Sequence, residues 1–150
     1  MSSTGTTFEQ IQYTINTYAH AVDFKQYDRL AKVFTPDAVA DFPGLAPDVR
    51  GLPAIQEMLE KTTGKYTYQH LQGSPLVDAE DGAAKATTYF RAVLFGSGDF
   101  QGQAVHMFGA YKDELTRINE GWRISRRDVV FMGPVQGDAA IVEAFGKGQL

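Results

Sequence analysis

A histidine set in an aromatic and polar strand is the residue of this 150-residue chain best suited to moving a proton. His70 lies within Tyr66-Thr67-Tyr68-Gln69-His70-Leu71-Gln72-Gly73-Ser74-Pro75-Leu76-Val77, a run that reads as a strand until Pro75 interrupts it. Side chains on a strand alternate between its two faces, so Tyr66, Tyr68, His70 and Gln72 share one face, a stripe better suited to a pocket wall than to plain core packing. An imidazole can take or give a proton near neutral pH, which makes a half-buried histidine a candidate acid/base. The same position also suits a hydrogen-bonded structural histidine, and the stretch alone leaves both readings open.

Other chemistry-bearing residues are scattered. His20 falls on the first helical segment, on a face expected to be surface or interface. Near the end of the chain, Ser125, Arg127, Val129 and Phe131 alternate with Ile124, Arg126, Asp128 and Val130, and either arginine could bind a carboxylate or oxyanion, or pair with Asp128 or Glu114 at the surface. The three histidines are far apart and follow no HxH or HExxH spacing, so no metal site is expected.

The elements that must position these residues follow in order. Ile11, Ile15, Tyr18, Ala19 and Val22 recur at helical spacing from about Phe8 to Val22, with Thr7 and Gln10 as a possible capping box. Asp23-Phe24-Lys25-Gln26 resembles a second capping box, and Leu30, Ala31 and Phe34 give the helix behind it an apolar face. Thr35-Pro36 should end that helix, Ala38 to Phe42 reads as a short strand, and Gly44 to Gly51 as loop. Pro53 suits the first turn of a third helix, with Ile55, Met58 and Leu59 buried and Thr62-Thr63-Gly64 as its stop.

After the His70 strand the pattern changes to long strands separated by turn signals. These run from Ala83 to Phe95, from Phe100 or Gln101 to Thr116, and from Trp122 to Met132. Helices followed by an antiparallel meander predict an α+β domain in which a strongly bent sheet wraps the helices. In the tail, residues 134–150, Asp138 is a possible N-cap for a short helix carrying Ala139, Ile141, Val142, Ala144 and Phe145, which would close a cavity mouth or pack on the sheet or another subunit.

Composition narrows the function classes. The length suits a single domain over residues 1–150, and 43% hydrophobic with 12% aromatic residues supplies a core and a lined cavity. Fourteen Lys and Arg against 18 Asp and Glu give a net charge of -4, which argues against nucleic-acid binding. There is no cysteine, so disulfides and thiolate metal sites are excluded. No apolar run approaches the roughly 18 to 20 residues needed to span a bilayer, and the start has no signal-peptide pattern, so a cytoplasmic protein is expected.

The ordered set Tyr18-Ala19-His20-Ala21-Val22-Asp23, Tyr27-Asp28-Arg29-Leu30, Phe34-Thr35-Pro36-Asp37-Ala38, Gly51-Leu52-Pro53-Ala54-Ile55, Gln69-His70-Leu71, Gly109-Ala110-Tyr111-Lys112-Asp113-Glu114-Leu115 and Gly121-Trp122-Arg123-Ile124 resembles the SnoaL-like branch of the nuclear transport factor 2 (NTF2)-like superfamily. The resemblance covers about residues 8 to 133 and includes scytalone dehydratase and bile-acid dehydratases. It implies a cone: a curved, mostly antiparallel sheet wrapped around three N-terminal helices with a deep apolar pocket.

The resemblance also implies an Asp–His dyad, which Asp23 and His70 match, although Asp23 read locally is a helix cap. A carboxylate that holds one imidazole nitrogen leaves the other to shuttle a proton. The bile-acid dehydratases of the family place a tyrosine near the position of Tyr18, which suits core packing equally well. The family register favours Met107, Tyr111, Arg127 and Phe131 as pocket-facing, Phe42 and the strand stripe's Tyr68 complete the expected substrate contacts, and His106 is the rival base if the strand parity is reversed. Val22 and Phe42 stand where scytalone dehydratase has tyrosines, so a different substrate is implied. The implied activity is a cofactor-independent dehydratase, isomerase or cyclase acting on a small, apolar, oxygenated secondary metabolite, in a homo-oligomer (dimer or trimer). The alternative is a noncatalytic binding or dimerising module with a packed interior and an outer sheet face, including Trp122, Ile124 and Val130, that mediates assembly.

Overall fold

The computed structural model describes residues 5–138, 140 and 141. Helix α1 (Thr7–Asp23) buries Ile11, Ile15, Tyr18 and Val22 on one side, and burying each large apolar side chain contributes about 1.5–3 kcal/mol. Its capping box is Thr6 with Glu9, one residue earlier than Thr7 with Gln10: Thr6 Oγ1 accepts from the Glu9 N–H at 3.2 Å, and the Glu9 carboxylate accepts from the Thr6 N–H at 2.7 Å. A carboxylate at the third position also favours the positive end of the helix dipole, which Gln10 cannot.

The segment after Asp23 forms only a 3₁₀-helix, Tyr27–Lys32, and Asp23 does not cap it. Asp23 is instead the last residue of α1, and Phe34 belongs to strand β1 (Phe34–Phe42). Pro36 is tolerated inside β1 because the parallel pairing of β1 with the last long strand is irregular between Phe34 and Val39. The stretch expected as loop contains a short edge strand, β2 (Ala46–Arg50), and helix α2 (Leu52–Thr63) then carries Pro53 in its first turn as its sequence predicts.

The remaining strands are β3 (Thr67–Gln72), β4 (Leu76–Glu80), β5 (Ala83–Phe95), β6 (Ala104–Ile118), β7 (Gly121–Phe131) and β8 (Gln136–Gly137). The sheet runs β2-β1-β7-β6-β5-β3, with β4 also on β5 and β8 on β6. All pairings are antiparallel except β1 with β7. The result is an unclosed, curved eight-strand sheet with the helices on its concave side.

Two local features shape that concave face. Between β6 and β7, Glu114 pairs with Arg126 and Leu115 with Ile124, so Ser125 is an extra residue in a β-bulge. The bulge reverses side-chain parity, and Trp122 and Ile124 are consequently buried together with Arg127 and Val129. Trp122 and Ile124 are therefore core residues and not part of an outer interface; only Val130 of that trio is exposed, at 38%. Further along β6, Gly109 lets the Phe90 ring pass: a Cβ there would sit 2.7 Å from Phe90 and 2.5 Å from the Val130 carbonyl oxygen. Phe90 can then stack on Tyr111, with ring centroids 4.4 Å apart.

Most of the expected tail helix, including Ala139, Val142, Ala144 and Phe145, lies outside the described residues. At its start, the Ala140 N–H donates to Asp138 Oδ1 at 2.7 Å, as the N-cap reading requires. Ile141 is buried against Tyr68, Leu94 and Val105.

Candidate active site

The C-terminal end of α1 abuts strand β3, the free edge of the sheet, and the contact is made by Asp23 and His70. His70 Nδ1 lies 2.6 Å from Asp23 Oδ1, and the His70 backbone N–H donates to Asp23 Oδ2 at 2.8 Å. Both carboxylate oxygens are thus bound by one residue, and the edge-strand N–H, which has no neighbouring strand to pair with, is satisfied. A carboxylate at a helix C-terminus opposes the helix dipole at a cost of about 0.3–1 kcal/mol, so helix stability does not explain Asp23 there. Its two contacts with His70 do.

The two side chains are nearly enclosed, His70 at 8% and Asp23 at 14% exposure. His70 lines a cavity of about 530 Å³ between the concave sheet face and the helices. Asp23 lies behind that wall and borders an outer groove with Asn16, His20 and Phe24. Because Nδ1 is held by Asp23, Nε2 is the ring nitrogen left to meet a molecule in the cavity.

The cavity draws its wall from nearly every element. Tyr18 and Val22 come from α1, Phe42 from β1, Leu59 from α2, Tyr68 from β3, Phe90 and Leu94 from β5, Met107 and Tyr111 from β6, and Val129 and Phe131 from β7. Six residues anticipated as substrate contacts, Tyr18, Phe42, Tyr68, Met107, Tyr111 and Phe131, are therefore on the wall. Phe90 was not anticipated; its place on the inward face of β5 follows from strand alternation once the parity of β5 is known. The segments Pro43–Leu45 and Gly133–Val135 frame the mouth.

Several rings meet at the His70 end of the cavity. Tyr18 packs edge-on to His70 at 6.0 Å and to Tyr111 at 5.5 Å, and Tyr68 is stacked with His70 at 6.1 Å. Burial pushes the Tyr18 phenol up to about 12, against the opposing charge of Arg127. Burial also holds Tyr68 and Tyr111 well above the ordinary phenol range. All three phenols are therefore neutral at physiological pH, able to donate a hydrogen bond to an oxygen but not to act as bases. The threonine hydroxyls of the wall are committed elsewhere, Thr62 to the Met58 carbonyl and Thr63 to the Leu59 carbonyl.

Arg127 is not on the cavity wall. It shares the inward face with Val129 and Phe131 but lies one step deeper, wholly buried, where Nε and Nη2 donate to the two Asp113 carboxylate oxygens at 2.7 and 2.8 Å. The guanidinium sits over the Tyr111 ring at 4.0 Å and the Tyr18 ring at 4.3 Å, so the two tyrosines cover it. Burial alone would lower the Arg127 pKa; the charge and hydrogen bonds of Asp113 outweigh it and raise the value, so Arg127 stays ionised. The other arginine, Arg126, forms a two-pronged ion pair with Asp128 on the outer side. His106 is on the outer face of β6, opposite Gln136 of β8, and does not line the cavity. His20 is exposed and stacks on Phe24.

Among the described residues no group of three or more His, Asp or Glu side chains is placed to hold a metal ion, and no helix is long and apolar enough to cross a membrane.

Proteins of related sequence and shape agree with this architecture. The uncharacterized protein Rv2910c from Mycobacterium tuberculosis is 33% identical over 120 residues, 79% of this chain and 80% of that protein. A solved structure from Novosphingobium aromaticivorans, provisionally named an aromatic ring hydroxylase, is 29% identical, covers 88% of this chain and 93% of that chain, and has a TM-score of 0.76. A second protein from that organism, provisionally named a scytalone dehydratase, is 17% identical and covers 85% of both chains with a TM-score of 0.74. The hexachlorocyclohexane dehydrochlorinase LinA-type3 from Novosphingobium barchaimii shares the fold with a TM-score of 0.75, 15% identity and coverage of 87% of this chain and 89% of that one. The family profile described as the SnoaL-like domain matches residues 6–128, most of the chain, and the chain therefore belongs to the SnoaL-like domain family.

Proposed function

We propose that this chain is a cofactor-independent lyase or isomerase, a dehydratase, isomerase or cyclase in type, that acts on a small apolar oxygenated metabolite with the Asp23–His70 pair as its acid/base. The observation that carries the reading is the 2.6 Å contact of His70 Nδ1 with Asp23 Oδ1 behind the wall of a 530 Å³ apolar cavity. With His70 neutral, Asp23 accepts from Nδ1–H, Nε2 presents a lone pair to the cavity, and the carboxylate stabilises the imidazolium that forms. His70 then removes a proton next to a carbonyl and returns it to a departing hydroxyl or to another carbon.

Tyr18, whose ring lies 6.0 Å from the imidazole, and Tyr111, packed on Tyr18 at 5.5 Å, would donate to the oxygen on which negative charge develops. The wall aromatics Phe42, Tyr68, Phe90 and Phe131 and the thioether of Met107 hold the apolar body of the substrate and exclude water. Proteins of this fold carry names from more than one reaction type, so the reaction is argued from the site and not from those names. The noncatalytic module was expected to have a packed interior, whereas an open cavity bordered by a paired imidazole supports the enzyme.

The test is a panel of apolar β-hydroxy ketones incubated with wild type and His70→Ala, read by mass spectrometry for loss of water and by NMR for deuterium uptake at the carbon next to the carbonyl. The expected result is turnover or exchange in wild type that disappears in His70→Ala while its circular dichroism is unchanged. A compound converted equally by both proteins would refute the assignment; compounds bound but never converted or exchanged would favour the binding module.

A further inference from the structure

None of the described residues lining the cavity is an Asp, Glu, Lys or Arg, yet a permanent cation lies directly behind two of its tyrosines. That cation is Arg127, and nothing about its own position makes it silent. Its Nη1 is buried and takes no part in the pair with Asp113, and the guanidinium lies over the rings of Tyr18, Tyr111 and Phe34, the first two of which line the cavity. Alone, such a group would draw an anion into the pocket, because a carboxylate that loses its hydration needs a nearby positive charge.

Asp113 changes that balance. Residue 113 on β6 faces residue 127 on β7 in register, and its carboxylate receives both Nε and Nη2. Both members of the pair are wholly enclosed, so water screens neither charge and their fields cancel at close range. We propose that Asp113 is a specificity-determining residue: by neutralising Arg127 it keeps the floor of the cavity free of net charge. The site consequently takes an uncharged, flat, oxygen-bearing molecule and turns away the matching carboxylate.

The ligand such a cavity suits is an aromatic or fused-ring ketone, enone or alcohol. The stacked Phe90–Tyr111 pair and the Tyr68 ring offer flat faces, and the neutral phenols of Tyr18 and Tyr111 donate to a carbonyl or hydroxyl oxygen. This inference rests on the cavity being the ligand site of the proposed function, but not on the chemistry of His70, because equilibrium binding is read without turnover.

The experiment compares two nearly isosteric probes, 2-acetonaphthone and 2-naphthoate, by titration calorimetry at neutral pH. Wild type should bind the ketone at least about tenfold more tightly, the scale of one uncompensated charge in a protein interior. Asp113→Asn leaves Arg127 unbalanced and should shrink or reverse that preference. Arg127→Met removes the cation, and the enclosed Asp113 carboxyl then takes up a proton, so this variant should keep the ketone preference of wild type. The double variant Asp113→Leu/Arg127→Met removes both charges and should return to the wild-type ratio. Each variant is used only if its near-ultraviolet circular dichroism matches wild type; if Asp113→Asn does not fold, Asp113→Ser leaves the same unbalanced Arg127 and carries the same expectation. Equal or preferred binding of 2-naphthoate by wild type would overturn the proposal, as would a folded Asp113 single variant with an unchanged ratio, or a failure of wild type to bind either probe.

Discussion

Replacing Asp23 by Asn removes one charge and almost no volume, and its effect follows from the two hydrogen bonds that Asp23 accepts. The backbone N–H of His70 donates to one oxygen at 2.8 Å, and Nδ1 faces the other at 2.6 Å. An amide offers one oxygen and one NH₂ in their place. The backbone N–H cannot become an acceptor, so the amide oxygen must stay with it and the NH₂ must turn to Nδ1. His70 can accept there only by moving its ring proton to Nε2, the nitrogen that the proposed mechanism presents to the substrate. An Nε2–H cannot take a proton from a substrate, so proton abstraction should fall by the full share of general-base catalysis, about a hundredfold to ten-thousandfold.

Stability should change much less. Hydrogen bonds to a charged acceptor contribute about 1.5–3 kcal/mol each, and the amide keeps weaker versions of both. Removing the carboxylate from the α1 C-terminus recovers about 0.3–1 kcal/mol, leaving a net loss of about 1–3 kcal/mol. Nitrogen-15 spectra of histidine-labelled protein report which ring nitrogen carries the proton, and a urea titration reports the stability. A neutral His70 that already carries its proton on Nε2 in wild type, or turnover by Asp23→Asn within about threefold of wild type, would refute this role for Asp23.

Gly109→Ala should destabilise the fold by about 1–3 kcal/mol, because its Cβ would meet the Phe90 ring at 2.7 Å and the Val130 carbonyl at 2.5 Å, and should weaken ligand binding by displacing Phe90 from Tyr111; thermal melts and probe titrations read both. Alkaline pH should unfold the protein steeply. In the unfolded chain tyrosines ionise near a pKa of about 10, whereas burial holds Tyr18 at about 12 and Tyr68 and Tyr111 above the ordinary range, so the unfolded state binds fewer protons once pH exceeds that of the free phenol. Their contribution is complete below about pH 10 and is lost as pH rises toward and through the folded values, at up to about 1.4 kcal/mol per pH unit for each tyrosine. Denaturant titrations between pH 8 and 11 should show that slope, and Tyr18→Phe should lessen it.

The sequence alone carried the elements whose signals are local. Alternation bounded by Gly96 to Asp99 and by Asn119 to Gly121 marked β5, β6 and β7 to within a few residues, and Pro53 with the Ile55, Met58 and Leu59 stripe marked α2. The stripe containing Tyr68 and His70 was legible for the same reason, since strand faces follow from a period of two. What failed were places where a local signal competed with a distant partner. Asp23 reads as a helix cap because its neighbours fit a capping box, but its carboxylate goes to His70, 47 residues away.

Tertiary structure also decided the faces of β7 and the role of Arg127. One extra residue, Ser125, reverses the alternation and turns Trp122 and Ile124 inward, and a bulge is defined only by the register against β6. Arg127 reads as a cation available to a substrate until Asp113 is found opposite it, wholly buried, with the rings of Tyr18 and Tyr111 over the guanidinium. Types and spacings along a chain determine which groups can ionise, donate or stack. Whether a charge faces a cavity or is cancelled behind its wall depends on which strands pair and in what register, and that is settled only when the sheet closes over the helices.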